Sequence, residues 1–145
     1  AQCTKIKSIG STYLVVGNTQ LPSNGAKFMM KLGVDMVKKC NQLFQDANSG
    51  TRAKWYVKIG INVGDYCAGV LGTSKYLYDV FGDAVNVASR MGYTTLANTV
   101  QIGEGKTLDA IKNDHSFSLV PRGTIEVKGK GPMSTYWVES NIASQ

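Results

Sequence analysis

Tyr78-Asp79-Val80-Phe81-Gly82-Asp83-Ala84-Val85-Asn86-Val87-Ala88-Ser89-Arg90-Met91 changes its period halfway along. Leu77 to Phe81 is β-branched and aromatic in character and reads as a strand. Gly82 and Asp83 break it and open a helical run from Ala84 to Met91, with the Asp83 carboxylate near the positive end of the helix. Asn86 and Arg90 stand four apart, so they project from one helix face.

Working outward toward the amino terminus, the small residues of Cys67-Ala68-Gly69-Val70-Leu71-Gly72 suggest close backbone approach, and Gly64-Asp65-Tyr66 reads as a hairpin turn leading into them. Trp55, Val57, Ile59, Ile61 and Val63 alternate with Tyr56, Lys58, Gly60 and Asn62, which predicts a strand over this whole run. Between Ala26 and Phe44, apolar residues at Met29, Leu32, Met36, Cys40 and Leu43, widened by Val34, Val37 and Phe44, predict a helix with that face in a core or subunit seam. The cluster Asn18 to Gly25, with Pro22, Ser23 and Asn24, reads as the preceding turn and N-cap. Lys5 to Ile9 and Thr12 to Val16 read as two strands around Gly10. Toward the carboxyl terminus a loop from Gly92 to Thr99 precedes a short strand at Val100 to Ile102 and a helix at Lys106 to Ile111. Strands are expected at Phe117 to Val120, Thr124 to Val127 and Met133 to Val138, with a fraying tail over 139–145.

A length of 145 residues suits one domain, and 43% hydrophobic with 18% charged residues excludes disorder for most of it. Its apolar stretches fall short of the roughly 20 residues needed to cross a bilayer, and no secretory signal pattern opens the chain, which could still be cut from a larger protein. Cys3, Cys40 and Cys67 form no Cys-x-x-Cys pair, which disfavours a disulfide framework or zinc site and suits a reducing compartment. His115 is the single histidine, in a polar surface-like stretch, so chemistry built on a histidine base is unexpected. A net charge of +6 points to an anionic partner.

Several familiar phosphate and nucleic-acid signatures fail. Gly105-Lys106-Thr107 lacks the glycine five residues before Gly105, where Val100 stands, so no P-loop forms. Gly64 to Gly72 lacks the Gly-x-Gly-x-x-Gly spacing of a dinucleotide fold. Basic and aromatic residues are not interleaved along a strand, and no basic helix offers itself to a groove, so nucleic acid is not an expected partner.

Four segments taken together are informative: Lys5-Ile6-Lys7-Ser8-Ile9-Gly10-Ser11-Thr12-Tyr13, Ile59 to Gly64, Tyr78 to Met91, and Arg122-Gly123 with Val127-Lys128-Gly129-Lys130-Gly131. In order and spacing they closely resemble the class III nucleotidyl cyclase catalytic domain, most like the second catalytic half of membrane adenylyl cyclases. The resemblance implies an α+β fold, a mixed and mainly antiparallel sheet flanked by helices in the ferredoxin-like manner. It runs from about Lys5 to Val138, within a partial catalytic domain over residues 1–138 that lacks the family's opening strand, which carries the first metal aspartate, and the two helices after it. In that family the ribose 3′-hydroxyl attacks the α-phosphate and pyrophosphate leaves, with two Mg2+ or Mn2+ ions held by two aspartates of one subunit. Here Ser11 occupies the second aspartate position, so no metal ligands are expected in this chain, and Asp83 and Asp65 are weak substitutes. The implied partner is a metal-binding cyclase half, in a hetero- or pseudo-heterodimer, with ATP as substrate. A cytoplasmic setting follows, with a possible membrane tether in the parent protein. The pseudo-symmetric second cavity of such dimers can hold a diterpene activator, and Ser11 would line it.

Adenine presents an acceptor at N1 and a donor amine at N6, which match the donor-only ammonium of Lys7 and the acceptor-only carboxylate of Asp79; guanine inverts both groups. The resemblance implies base reading by Lys7 and Asp79 with Val80 beside them, ribose orientation by Asn86, and transition-state charge stabilisation by Arg90. Lys128 corresponds to the lysine on the β- and γ-phosphates, with Lys130 close enough to compete for that role. Without the family, Lys7 and Asp79 read as strand charges or an ion pair, Asn86 and Arg90 as a solvated helix face, and the lysines as a basic turn. A catalytically inactive, cyclase-derived regulatory or dimerisation module and an unrelated basic binding domain are the alternatives.

Overall fold

The computed structural model describes residues 3–17, 22–46, 55–75 and 77–141. In chain order these form β1 (Cys3–Ile9), β2 (Thr12–Gly17), α1 (Pro22–Asp46), β3 (Lys58–Gly60), β4 (Cys67–Leu71), β5 (Leu77–Phe81), α2 (Asp83–Thr94), β6 (Thr99–Gly103), α3 (Lys106–Ile111), β7 (Phe117–Val127) and β8 (Gly131–Ser140). The strands make a four-stranded sheet in the order β3-β6-β8-β7 and two separate antiparallel hairpins, β1-β2 and β4-β5. Only β3 and β6 run parallel. The α+β expectation is met, with the strands divided among three sheets.

The main core joins α1 and α3 to the large sheet through Met30, Val34, Ile61, Val100, Ile102, Ile111 and Val138. Fully burying side chains of this size contributes about 1.5–3 kcal/mol each. A second cluster, Val87 and Met91 of α2 with Ile125 and Val127 of β7, is completed by Met133. This smaller core fixes the angle at which α2 lies on the β7-β8 hairpin.

Several boundaries differ from the sequence expectation. Helix α1 begins at Pro22 rather than Ala26, because proline lacks only an amide that the first helical turn leaves unpaired anyway. Its inner face is Ala26, Met30, Gly33 and Val34, whereas Met36 and Leu43 are exposed, so the apolar stripe is rotated from the one expected. The side chain of Phe44 lies outside the described residues. The run from Trp55 to Val63 yields a strand only at Lys58–Gly60, since β6 pairs with just these three residues. Gly64 to Tyr66 is no hairpin turn: β4 pairs with β5 and leaves β3.

Downstream, α2 extends over Asp83–Thr94, beyond the expected Ala84 to Met91. The two strands expected at Phe117 to Val120 and Thr124 to Val127 are one strand, β7, with a register shift between Pro121 and Gly123. Proline is accommodated because β7 is an edge strand and a bulge relieves its missing amide. Glu139 and Ser140 belong to β8, so the tail does not begin there; residues 142–145 lie outside the described set.

Candidate active site

Two groups of polar side chains flank the strand-to-helix junction at Gly82. Gly82 has φ of 134°, and a Cβ there would sit 3.4 Å from the Cα of Tyr66. A side chain is therefore opposed by the backbone conformation rather than by lack of space, and the chain turns within one residue from β5 into α2.

On the β5 side, Lys7 Nζ donates to Asp79 Oδ2 at 2.8 Å, joining the two small hairpins. Asp79 Oδ1 accepts the Val80 N–H at 2.8 Å. The Lys7 hydrogen bond, and after it the Val80 N–H, hold the Asp79 carboxyl below its ordinary value of 3.8, against a smaller opposing effect of desolvation. Asp79 is thus an ionised acceptor at neutral pH. Val80 itself is buried, so only its main chain borders this place.

Lys7 reaches Asp79 because β1 is bulged. The ladder pairs Lys5 with Val15 and Lys7 with Leu14, leaving Ile6 extra. Consecutive residues of β2 face opposite sides, and directly paired residues share a side. Lys5 and Lys7 therefore lie on opposite faces despite their period-two spacing. Accordingly Lys5 Nζ sits 4.8 Å from the ring centroid of Tyr13, while Lys7 turns to β5.

On the α2 side, Asn86 and Arg90 are both exposed on the helix. Arg90 Nε donates to the Glu126 carbonyl of β7 at 3.2 Å, and its terminal nitrogens have no partner among the described residues. The side chains of Asn86 and Lys128 are likewise without partners among the described residues. Lys130, by contrast, forms a 2.7 Å ion pair with Asp83. Among the described residues the structure thus separates the two lysines of the turn: one is engaged and the other has no side-chain partner.

Helix α2 is anchored at both ends by residues to which the sequence reading gave no individual role. Asn62 Nδ2 donates to the Ala84 carbonyl at 3.1 Å, while Thr107 Oγ1 donates to Asn62 Oδ1 and accepts the Val63 N–H, each at 2.9 Å. At the other end, Arg122 Nη2 donates to the Thr94 carbonyl at 2.8 Å, a cation at the negative helix terminus. Gln101 Nε2 donates to Thr94 Oγ1 at 2.8 Å. Between them, a Cβ on Gly60 would fall 2.2 Å from the Ala88 carbonyl oxygen, so the helix lies directly on β3. The glycine inside an alternating run was the signal for this contact.

The donor set does not suit a pair of divalent ions. Asp83 is engaged by Lys130, Asp65 is exposed, and residue 11 is an exposed serine. No group of three or more His, Cys, Asp or Glu side chains gathers among the described residues.

The chain matches the model of the adenylate and guanylate cyclase catalytic domain over residues 1–140. It is 34% identical to adenylate cyclase type 9 of Xenopus laevis over 140 residues, covering 91% of this chain and 10% of that protein. It is 35% identical to guanylate cyclase soluble subunit beta-2 of Homo sapiens, covering 95% of this chain and 22% of the relative. Among solved structures, the adenylyl cyclase CyaB from P. aeruginosa superposes with a TM-score of 0.85 at 26% identity, over 99% of this chain and 74% of that one. The guanylate cyclase domain of RhGC from Catenaria anguillulae in complex with GTP gives 0.78 at 33% identity, over 95% of this chain and 72% of that one. The chain spans only about a tenth to a fifth of the first of these curated relatives. It belongs to the adenylate and guanylate cyclase catalytic domain family.

Proposed function

We propose that this member of the cyclase family supplies the adenine- and triphosphate-binding half of an adenylyl cyclase site, completed by a metal-binding half across a dimer interface. The observation that carries the reading is the Lys7 to Asp79 pair, in which Lys7 of β1 meets Asp79 on the strand that leads into the helix of Asn86 and Arg90. An ammonium has three N–H donors, and one suffices for Asp79. Lys7 can therefore still donate to adenine N1 while an Asp79 oxygen accepts from the N6 amine. Guanine would set its own N1–H against the ammonium and O6 against the carboxylate.

In the reaction the ribose 3′-oxygen loses its proton and bonds to the α-phosphorus, and the bond to the pyrophosphate oxygen breaks. Asn86 orients the ribose, and the free guanidinium nitrogens of Arg90 meet charge growing on the phosphate. Lys128 holds the outer phosphates. The partner half would hold two Mg2+ or Mn2+ ions, which would supply charge neutralisation and activation of the attacking oxygen there. The exposed Val70, Leu71, Leu77, Tyr78 and Phe81 of the β4-β5 hairpin support pairing with another half. The setting proposed for the domain is the cytoplasmic side, where ATP is available; no described helix is long and apolar enough to cross a membrane.

A second reading, a regulatory module without turnover, is favoured by one observation: Lys7 and Asp79 are already bonded to each other and would serve as a structural link between hairpins. Mixing the chain with a metal-binding half, ATP and Mg2+ distinguishes the two. Cyclic AMP is expected from the mixture and none from the chain alone. Robust turnover by the isolated chain defeats the division of labour; an assembled but inactive mixture favours the regulatory module.

A further inference from the structure

Lys128 and Lys130 stand on one glycine-rich turn, yet their surroundings differ. Gly129 and Gly131 have φ of 79° and 75°, and a Cβ on either would meet nothing within 4 Å. The glycines thus serve the sharp turn rather than any close packing. Lys130 N–H donates to the Val127 carbonyl at 2.9 Å, which folds the tip back on the hairpin. The shaft below is seated on α2 by Val87, Met91, Ile125, Val127 and Met133, and by the bond from Arg90 to the Glu126 carbonyl. None of these contacts reaches beyond Val127 to fix the tip.

The ion pair between Lys130 and Asp83 is the contact that does. Asp83 is the first residue of α2, one turn before Asn86. Both side chains are substantially exposed, at 40% for Lys130 and 64% for Asp83, so the pair adds little to overall stability. Its effect is geometric: it ties the turn bearing Lys128 to the helix end bearing Asn86.

We propose that Asp83 and Lys130 are positioning residues that fix Lys128 relative to Asn86 and Arg90, so that Lys130 orders the phosphate-binding turn without itself holding phosphate. This rests on the reading of Lys128 as the triphosphate ligand and extends it to the two charges beside it. The carboxylate of Asp83, close to where a polyanion would bind, would repel it if unpaired; Lys130 cancels that charge. Phosphate is thereby left to the one lysine of the turn without a carboxylate partner.

The test uses Asp83→Asn, Lys130→Gln, their double variant, Lys130→Arg and Lys128→Ala, each paired with a metal-binding half. Each single neutralisation should raise KM for ATP about 1.5- to 5-fold, the range expected for one exposed ion pair, and leave kcat nearly unchanged. The double variant should be no worse than the poorer single one, and Lys130→Arg should match the parent. Amide hydrogen exchange over residues 128–131 of the isolated chain should quicken in both neutralised variants and not in Lys130→Arg. Additive KM effects, or an effect of Lys130→Gln that Asp83→Asn neither shows alone nor relieves in the double variant, would place Lys130 on the phosphate and overturn the assignment; an effect of Lys130→Gln alone that the double variant relieves would leave only charge cancellation and overturn the positioning role. Unaltered exchange in the neutralised variants overturns it also, whether or not the mixture turns over. If Lys128→Ala leaves KM unchanged while exchange behaves as expected, the clamp stands and the triphosphate role of Lys128 fails.

Discussion

The two sides of the strand-to-helix junction are built differently. Asn86 and Arg90 ride on a helix seated on buried Val87 and Met91 and tied at both ends by Asn62 and Arg122. Lys7 and Asp79 stand on two separate hairpins outside the large sheet, joined by one ion pair. On the proposed reading, the phosphate side is organised by the packing of α2, whereas the base side rests on the seating of Val80, on one polar link between the hairpins among the described residues, and on whatever covers the exposed apolar residues of the β4-β5 hairpin. Charge stabilisation tolerates no loose geometry, whereas base selection can be completed on assembly.

The sharpest way to break this contrast is Arg90→Ala. With the arginine acting on charge that grows during reaction, kcat of the mixed dimer should fall about 10²–10³-fold with little change in KM. A near-normal kcat in an intact dimer would remove the transition-state role from the well-packed side. Next in size, Lys7→Glu with Asp79→Cys should shift the ratio of ATP to GTP use toward GTP by about tenfold or more, because a polar group left facing the wrong partner is costly. If the ratio of kcat/KM values for the two nucleotides stays put, the hairpin side does not read the base. Lys128→Ala should raise KM for ATP by about tenfold, the loss of one charge-assisted contact already present in the bound state.

The smallest effect sharpens the contrast through pH. The Asp79 carboxyl titrates below its ordinary 3.8 when folded. The favourable contribution is therefore fully present above that ordinary value and is lost as pH falls through the lowered one. On acidification the link between the hairpins should survive past the ordinary carboxylate range and then open, while contacts of α2 with β7 persist. Asp79→Asn should show the opened hairpins already at neutral pH, by amide exchange in β1 and β5. Opening of both regions together would show that they are not independently organised.

Much of this arrangement was legible in the sequence, because local signals and tertiary structure agree there. The β5 to α2 junction carries its own punctuation at Gly82, and the Gly10 hairpin has strand residues on both sides. The Trp55 to Val63 alternation misled because a strand needs a partner as well as a pattern, and β6 offers pairing to only three residues. Helix α1 carries apolar residues on more than one face, so periodicity alone could not say which would turn inward. Within the site, the chemical character of Lys7 and Asp79 could be argued from the base edge, but their meeting depends on hairpin packing 72 residues apart in sequence. Asp83 and Lys130 are likewise distant in sequence, and no local rule joins them.

With Lys7 as the proposed base reader, the extra residue in β1 makes substrate choice depend on the length of the strand as well as on its side chains. Exchanging Lys7 for another side chain alters what is offered to the base, and every such exchange leaves residue 7 aimed across at β5. Removing Ile6 would instead restore an even ladder and leave the rest of the strand to choose which part turns over. The position proposed to read the base is thus protected against drift by substitution and exposed to a single deletion. In engineering this hairpin, preserving its length matters as much as preserving its lysine.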